Sequence, residues 1–423
     1  MQIKDKTAFK SQAIYNTTAK IQENTILNRG LLDLGGSVVP QIIMSNNKDE
    51  KIERGIIGAL YFVSAFLAPY ILLPFFNRTF LIRNGVVKNF KNNERKIIEV
   101  SKKYLTKGTD FMEEGIRETA KKLELEATKK GKTIDVKKDF ENILKNFSDK
   151  NELKNRLLKT HEGILFADFL ATALMWCAIP WTGAEITKLR TKRSGYSATY
   201  NMMDEKQTKL NAKKHEDEKN KKLITSALIG IIPSIIFPKL VTKGLKGKDV
   251  IFNFAKKSPK SFDYTKGIFP SKFIFGAVWL LCDYPSYIIS SRDEYERKDR
   301  TIRGAGQMVV FFGGDFLLNN VFGRLSDRLL KTQIMDKTKL KTKPNFLNKL
   351  TLQPRDFTEL NDAKGIAPKI LQRTKNIGAT LYWLTLVANM GLLGFALPAA
   401  LNKILKDNVK KNQPILKGAN NDN

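Results

Sequence analysis

Long apolar runs alternate along this chain with stretches dense in Lys, Arg, Asn, Asp and Glu. Six runs, 56–76, 164–186, 223–241, 273–290, 304–322 and 377–401, approach the length a helix needs to cross a hydrocarbon core, roughly 20 apolar residues. A seventh, 31–45, is shorter and contains Asp33, Gly35 and Gly36. It spans under strain, lies in the interface or re-enters. The pattern predicts an all-α fold: a polytopic transmembrane bundle of six to seven apolar helices, with a soluble helical insertion.

The runs repeat. At one fixed spacing Arg54, Ile56, Gly58, Ala59, Val63, Phe66, Leu72, Phe76 and Arg78 match Arg300, Ile302, Gly304, Ala305, Val309, Phe312, Leu318, Phe322 and Arg324. A duplicated two-helix unit explains the match. One type of run carries a late proline, at Pro40, Pro180, Pro285 and Pro398, and Cys177 and Cys282 each stand three residues before theirs. The other type carries Pro69 and Pro74 at the spacing of Pro233 and Pro238. Every pair has the same order, so repeats that each cross twice are parallel rather than inverted. Proline removes a helix donor and crowds the preceding turn. The freed carbonyls then need neighbours, which implies a packed bundle. For Pro40 and Pro74 the alternative is that they end their helices.

These spans order the chain into a polar N-terminal segment (1–30), a first pair (31–76), an amphipathic insertion (77–162), a second pair (163–241) with a basic linker (190–222), a basic connection (242–272), a third pair (273–322), a further basic connection (323–376), a last helix (377–405) and a disordered tail (406–423). The insertion shows helical spacing at Ile97, Ile98, Val100, Tyr104 and Leu105 and again at Phe140, Ile143, Leu144 and Phe147. Gly131 separates the two stretches, and Asp149 with Glu152 has the spacing of a capping box. The insertion is either a docking arm for a protein partner or a hairpin that packs on itself.

Charge then orients the picture. The 423 residues carry a formal net charge of +31. Connections 77–162, 239–272 and 324–375 share one face and most of the Lys and Arg, which makes that face cytoplasmic in a cell inner or plasma membrane. On the other face 46–54 and 292–303 nearly cancel their charges, while 190–222 weakens the contrast. Cations beside apolar ends suit anionic lipid head groups. Arg78, Arg83, Lys188, Arg190, Lys192 and Arg193 are the candidates. A basic patch that binds nucleic acid needs a reading element or stacking platform, and the sequence has no such motif, so nucleic acid is set aside.

Chemistry is scarce. No Ser-His-Asp set, P-loop, GxGxxG, HExxH, CxxC or EF-hand loop occurs, so no enzyme, cofactor or metal is expected. Cys177 and Cys282 read as small hydrophobes. Polar residues inside apolar runs are the sharpest candidates, because such groups usually face a bundle interior or a wet cavity. They are Asp315, Asn319, Asn320 and Asn389, with Asp283 and Asp168. Two readings stand: a transporter or permeation component with a polar path through the bundle, or a non-catalytic membrane scaffold whose basic loops hold anionic lipids or partner proteins. A proline-bearing helix pair resembles mitochondrial carriers in outline only. Pro180 is followed by Trp181-Thr182 and Pro285 by Ser286-Tyr287, without that family's acidic residue two positions on, so no family is assigned.

Overall fold

The computed structural model describes the chain apart from residues 1, 87–110, 129, 132–134, 204, 248, 258–270, 338–351, 353, 362, 364 and 413–423. Ile97, Ile98, Val100, Tyr104 and Leu105 lie outside the described residues. The all-α class holds, and the described residues contain no strand beyond a single bridge between Met335 and Pro354. In chain order the helices are α1 (Gln2–Glu23), α2 (Thr25–Asp33), α3 (Val39–Ile43), α4 (Lys48–Phe62), α5 (Ala68–Arg83), α6 (Phe111–Thr128), α7 (Val136–Leu144), α8 (Lys150–Thr191) and α9 (Glu205–Lys246). They continue as α10 (Val250–Lys257), α11 (Lys272–Val278), α12 (Tyr284–Ile289), α13 (Glu294–Met308), α14 (Asp315–Leu329), α15 (Phe357–Asn361), α16 (Pro368–Gly391) and α17 (Leu397–Asn412). The last helix carries order through Asn412, into the stretch expected to be a disordered tail.

Four helical stretches are long and apolar enough to cross a membrane, judged by length and composition: Lys48–Arg83, Lys150–Thr191, Lys209–Lys246 and Pro368–Lys411. That is fewer than the six or seven expected. Phe273–Ile289 is apolar but shorter. Run 304–322 lies in a continuous helical stretch, but Gln307, Asp315, Asn319 and Asn320 dilute its apolar character.

Proline placement explains most of the irregular turns. Among the described residues five π-helical turns join α-helices: Leu34–Val38, Val63–Leu67, Trp279–Asp283, Val309–Gly314 and Leu392–Ala396. Pro40, Pro69, Pro285 and Pro398 each stand two residues beyond such a turn. A proline ring cannot accept an α-helical carbonyl four residues back, and a π-turn re-registers the chain around it. Pro74, Pro180, Pro233 and Pro238 sit inside continuous helices instead. Pro74 therefore does not end its helix, while Pro40 stands within four residues of one.

The described chain divides into two compact units. One comprises Met1–Phe62, Gly183–Asp217 and Ser291–Asn423; the other comprises Val63–Thr182 and Glu218–Ser290. In the second unit α8 is the central helix, burying Ile164, Leu165, Phe169, Ala173 and Trp176. The Trp176 indole donates to the Ser64 hydroxyl at 3.0 Å. Helix α9 buries Ser226, Gly230 and Ser234 and leaves Leu228, Ile232, Ile235 and Ile236 exposed. In the same unit α6 packs on α7, burying Leu123, Ala127 and Ile143. Gly131 turns between them at φ +63°. At the start of α8 the Glu152 amide donates to Asp149, and the Glu152 carboxylate accepts from the Ser148 amide.

Among the described residues the first unit shows three apolar clusters. Leu32, Leu386 and Leu393 form one, Tyr15, Ala19, Phe357, Leu360 and Ala379 a second, and Tyr196, Ala198, Leu405 and Val409 a third. Helices approach closely at Gly394, where an added Cβ would stand 2.5 Å from Pro40 Cγ and 3.2 Å from the Gly36 carbonyl oxygen.

Candidate functional site

Two helix starts build the most polar part of the first unit. At α4 the Glu50 amide donates to the Asn47 side chain, and the Glu50 carboxylate accepts from the Asn46 amide. At α13 the Glu296 amide donates to Asp293, and the Glu296 carboxylate accepts from the Arg292 amide. Such reciprocal caps satisfy the orphan donors of a first helical turn. One turn on, Arg54 bonds Glu50 at 2.7 Å and Arg300 bonds Glu296 at 2.7 Å.

The two starts are then cross-linked. Arg292 donates through both terminal nitrogens to Glu53, at 3.1 and 2.5 Å, and through Nε and Nη2 to Glu296. Asp299 holds Arg303 at 2.8 Å and lies 3.7 Å from Arg54. Arg54 also donates to the Tyr196 hydroxyl at 3.1 Å. Four carboxylates (Glu50, Glu53, Glu296, Asp299) thus meet four guanidinium groups (Arg54, Arg292, Arg300, Arg303). All but Arg54 are buried, and Arg54 is mostly so.

Charge pairing sets the protonation of this cluster. Burial works to raise the Glu296 carboxyl, but Arg292 and Arg300 outweigh it and hold the group below its ordinary value. Burial likewise works against the Asp299 carboxylate, and Arg303 and Arg54 reverse it. A lowered carboxyl contributes stability above its unfolded value, which is lost as pH falls through the folded one. We therefore expect unfolding midpoints to be held at neutral pH and to drop as pH passes below 4.5, the ordinary glutamate value. A thermal unfolding series from pH 7 to pH 3 reads this out. A Glu296→Gln/Asp299→Asn variant is expected to show a shallower acid limb.

From the cluster a line of polar side chains runs into the apolar part of the first unit. Arg54 reaches Gln41 at 3.5 Å, Gln41 donates to Ser37 at 3.1 Å, and Gln307 donates to the same hydroxyl at 3.2 Å. Further along, Asn389 is fully buried, with its amide where a side chain at Gly314 would be. Thr385 donates to Asn319 at 2.9 Å. Asn320 donates to the Leu352 carbonyl and accepts from Arg324 at 2.7 Å. Beside Asn319 a cavity of about 100 Å³ opens between Gln22, Arg355, Phe357, Leu360 and Tyr382. Among the described residues the buried Arg355 Nε has no hydrogen-bond partner, while its Nη2 pairs with Asp336 at 2.8 Å.

The structure places Asn319 and Asn320 on α14 and Asn389 on α16, against Thr385, the Leu352 carbonyl and Gly314 in turn. Asp315 opens α14, and its side chain lies outside the described residues. Asp168 and Asp283 belong to the other unit, where both are buried. Cys177 and Cys282 sit in that unit too. The Cys177 thiol donates to the Cys282 carbonyl at 3.8 Å, and the Cys282 thiol lies 4.0 Å from the Gly230 carbonyl. Among the described residues no group of three His, Cys, Asp or Glu could hold a metal ion.

The six lipid candidates separate. Lys188 pairs with Glu216 at 2.9 Å, Arg190 pairs with Asp49 at 2.7 Å, and Arg193 lies over the Tyr200 ring. Lys192 is exposed in a left-handed backbone conformation just past α8. Arg78 and Arg83 are exposed near the end of α5.

Segments 46–54 and 292–303 carry nearly cancelling charge, as expected of connections on one face. Their charges cancel because they pair in a buried cluster. The signal was present as three acid-to-arginine pairs at four-residue spacing, Glu50–Arg54, Glu296–Arg300 and Asp299–Arg303. Family models, curated proteins and solved structures were all compared with this chain, and none matches it.

Proposed function

We propose that this chain is an integral membrane protein that gives a small polar or charged solute a path along the polar seam of its first unit. The observation that carries the reading is the relay Arg54–Gln41–Ser37–Gln307, which continues a buried ion cluster into apolar helices. Buried polar groups in an apolar setting are expensive, and inside a membrane they usually mark a pathway. Gln307, Asn319, Asn389 and the cavity beside Asn319 extend the line. Asp315, the first residue of α14, is a further candidate for it by its place in the sequence.

The membrane part of the proposal rests on an inverted pattern as well as on length. Helix α9 turns small and hydroxyl side chains inward and large aliphatic ones outward. Helices that pack within lipid do this, because lipid tails solvate aliphatic surface and small residues let backbones approach. Three further segments, 31–45, 273–290 and 304–322, are proposed to lie in the membrane with the four long ones, giving the six-to-seven-helix bundle. The matching caps at Glu50 and Glu296 and the matching fifteen-residue helices α4 and α13, each followed by a π-turn, support a duplicated unit. The basic connections are assigned to the cytoplasm by their charge.

The scaffold reading keeps one specific support. Asn389 is packed tightly against Gly314, and the Asn319 carbonyl is taken by Thr385, so these amides also serve as contacts between helices. Water access separates the two. In a variant carrying Cys177→Ala and Cys282→Ala, a cysteine placed at Asn319 or Ser37 is expected to react with a membrane-impermeant maleimide in sealed and in opened vesicles combined. If both positions stay unreactive until the protein is denatured, the seam is dry and the scaffold reading replaces permeation.

A further inference from the structure

In the first unit the arginines of the ion cluster, with Lys188 and Arg190, face carboxylates of the same unit. In the second unit Lys122, Arg156 and Lys222 pair with Glu118, Glu152 and Glu218, but another group of its cations, gathered at one level, does not. Its position follows from helix register. A side chain at Gly230 of α9 would meet Ala173, Leu174 and Cys177 of α8. The Phe237 ring lies 5.3 Å from the Phe169 ring. Moving toward the end of α9 therefore means moving toward the start of α8, so the two run antiparallel. Continued at the same pace, Lys243 and Lys246 come level with the stretch of α8 around Thr160.

Helix α5 ends at that level too. Asn84, just past its end, donates to the Thr160 hydroxyl at 3.1 Å. A side chain at Gly163 would meet the Phe80 ring. The level therefore gathers Arg78 and Arg83 from α5, Lys159 from α8, and Lys239, Lys243 and Lys246 from α9, all exposed. Among the described residues none of the six has a carboxylate within ion-pair distance. The nearby acid on α8 is Glu162, which is half-buried. Two of the helices, α5 and α9, present exposed apolar side chains before and among these cations: Ile71, Phe75 and Ile82 on one, Ile235, Ile236 and Leu240 on the other.

We infer that this end of the second unit is a binding surface for anionic phospholipid head groups. Unpaired cations capping aliphatic faces match a layer of phosphate above acyl chains. Long Lys and Arg side chains can lie along the apolar surface while their charges reach the phosphate. The inference rests on the membrane reading above. It narrows the sequence candidates to Arg78 and Arg83 and adds Lys159, Lys239, Lys243 and Lys246.

The test uses the full chain purified in neutral detergent, with phosphatidylglycerol or phosphatidylcholine added. Phosphatidylglycerol is expected to raise the unfolding midpoint by about 2–4 °C at low salt, as a ligand selective for the folded state does. The rise shrinks at high salt, and phosphatidylcholine gives less. The variant Arg83→Gln/Lys239→Gln/Lys243→Gln/Lys246→Gln is expected to lose the rise and to retain less acidic lipid on purification. A matched variant, Lys188→Gln/Arg190→Gln/Lys192→Gln/Arg193→Gln, keeps both, each measured against its own lipid-free midpoint. Equal shifts with the two lipids, or loss of the shift only in the second variant, overturn the inference and leave the membrane reading standing. Removal of the chain from membranes by an alkaline wash overturns both.

Discussion

Replacing Arg292 with leucine is expected to cost about 3–5 kcal/mol of stability, the range for breaking a buried ion pair by removing one member. Arg292 is the densest connection in the first unit, bonding Glu53 from α4 and Glu296 from α13 while lying over the Tyr196 ring. Without it Glu53 is left buried, and Glu296 keeps only Arg300 among the cluster's arginines. An unpaired buried carboxylate must either stay charged at high cost or take up a proton. Arg292→Lys is expected to recover only part of the loss, because an ammonium cannot reproduce the two-pronged contact with Glu53. The double variant Arg292→Leu/Glu53→Leu is expected to be more stable than Arg292→Leu alone, since it removes the stranded charge together with its partner. Denaturation midpoints of the four proteins, read by loss of helical circular dichroism in the same detergent, decide it. Equal midpoints for wild type and Arg292→Leu would show that the cluster is not paired as described.

Gly394→Ala is expected to destabilise by about 1–3 kcal/mol, the usual cost of forcing a methyl into a filled site. The new methyl would meet the Pro40 ring at 2.5 and 2.6 Å and the Gly36 carbonyl oxygen at 3.2 Å. Neither neighbour can rotate away, as one is a closed ring and the other is backbone. Gly391, three residues earlier, supplies the control, because a Cβ there meets nothing within 4 Å. Gly391→Ala is expected to be neutral or to gain up to about 1 kcal/mol from helix propensity. The same heat-unfolding measurement reads both. Similar behaviour of the two alanine variants would count against the close crossing at Gly36, Pro40 and Gly394.

The apolar runs made the helices legible before any coordinates. Runs 56–76, 164–186, 223–241 and 377–401 each lie within a helical stretch long and apolar enough to span a membrane. The capping box at Asp149 and Glu152 was legible because its spacing is local. Proline positions announced irregular backbone but not its form. That Pro40, Pro69, Pro285 and Pro398 follow π-turns while Pro180 and Pro233 do not depends on packing that spacing does not encode. Asn319, Asn320 and Asn389 stood out as polar groups in apolar runs, but their partners Thr385, Leu352 and Gly314 come from distant parts of the fold and were not legible. The ion cluster was not assembled from sequence, because Glu53 and Arg292 meet only once the chain has folded across 239 positions. Charge cancellation within each segment was visible, whereas charge pairing between segments was not. Lys188 and Arg190 were misleading for the same reason, since Glu216 and Asp49 reach them from elsewhere in the chain.

The most direct measurement is an alkaline carbonate wash of membranes holding the full chain, followed by thiol labelling of the native cysteines. The chain is expected to stay in the membrane pellet. Cys177 and Cys282, buried where α8 approaches the turn Trp279–Asp283, are expected to resist a membrane-impermeant maleimide until detergent denaturation exposes them. Release of the chain into the wash, or reaction of both thiols as fast as in the denatured control, would contradict a membrane-spanning helix bundle.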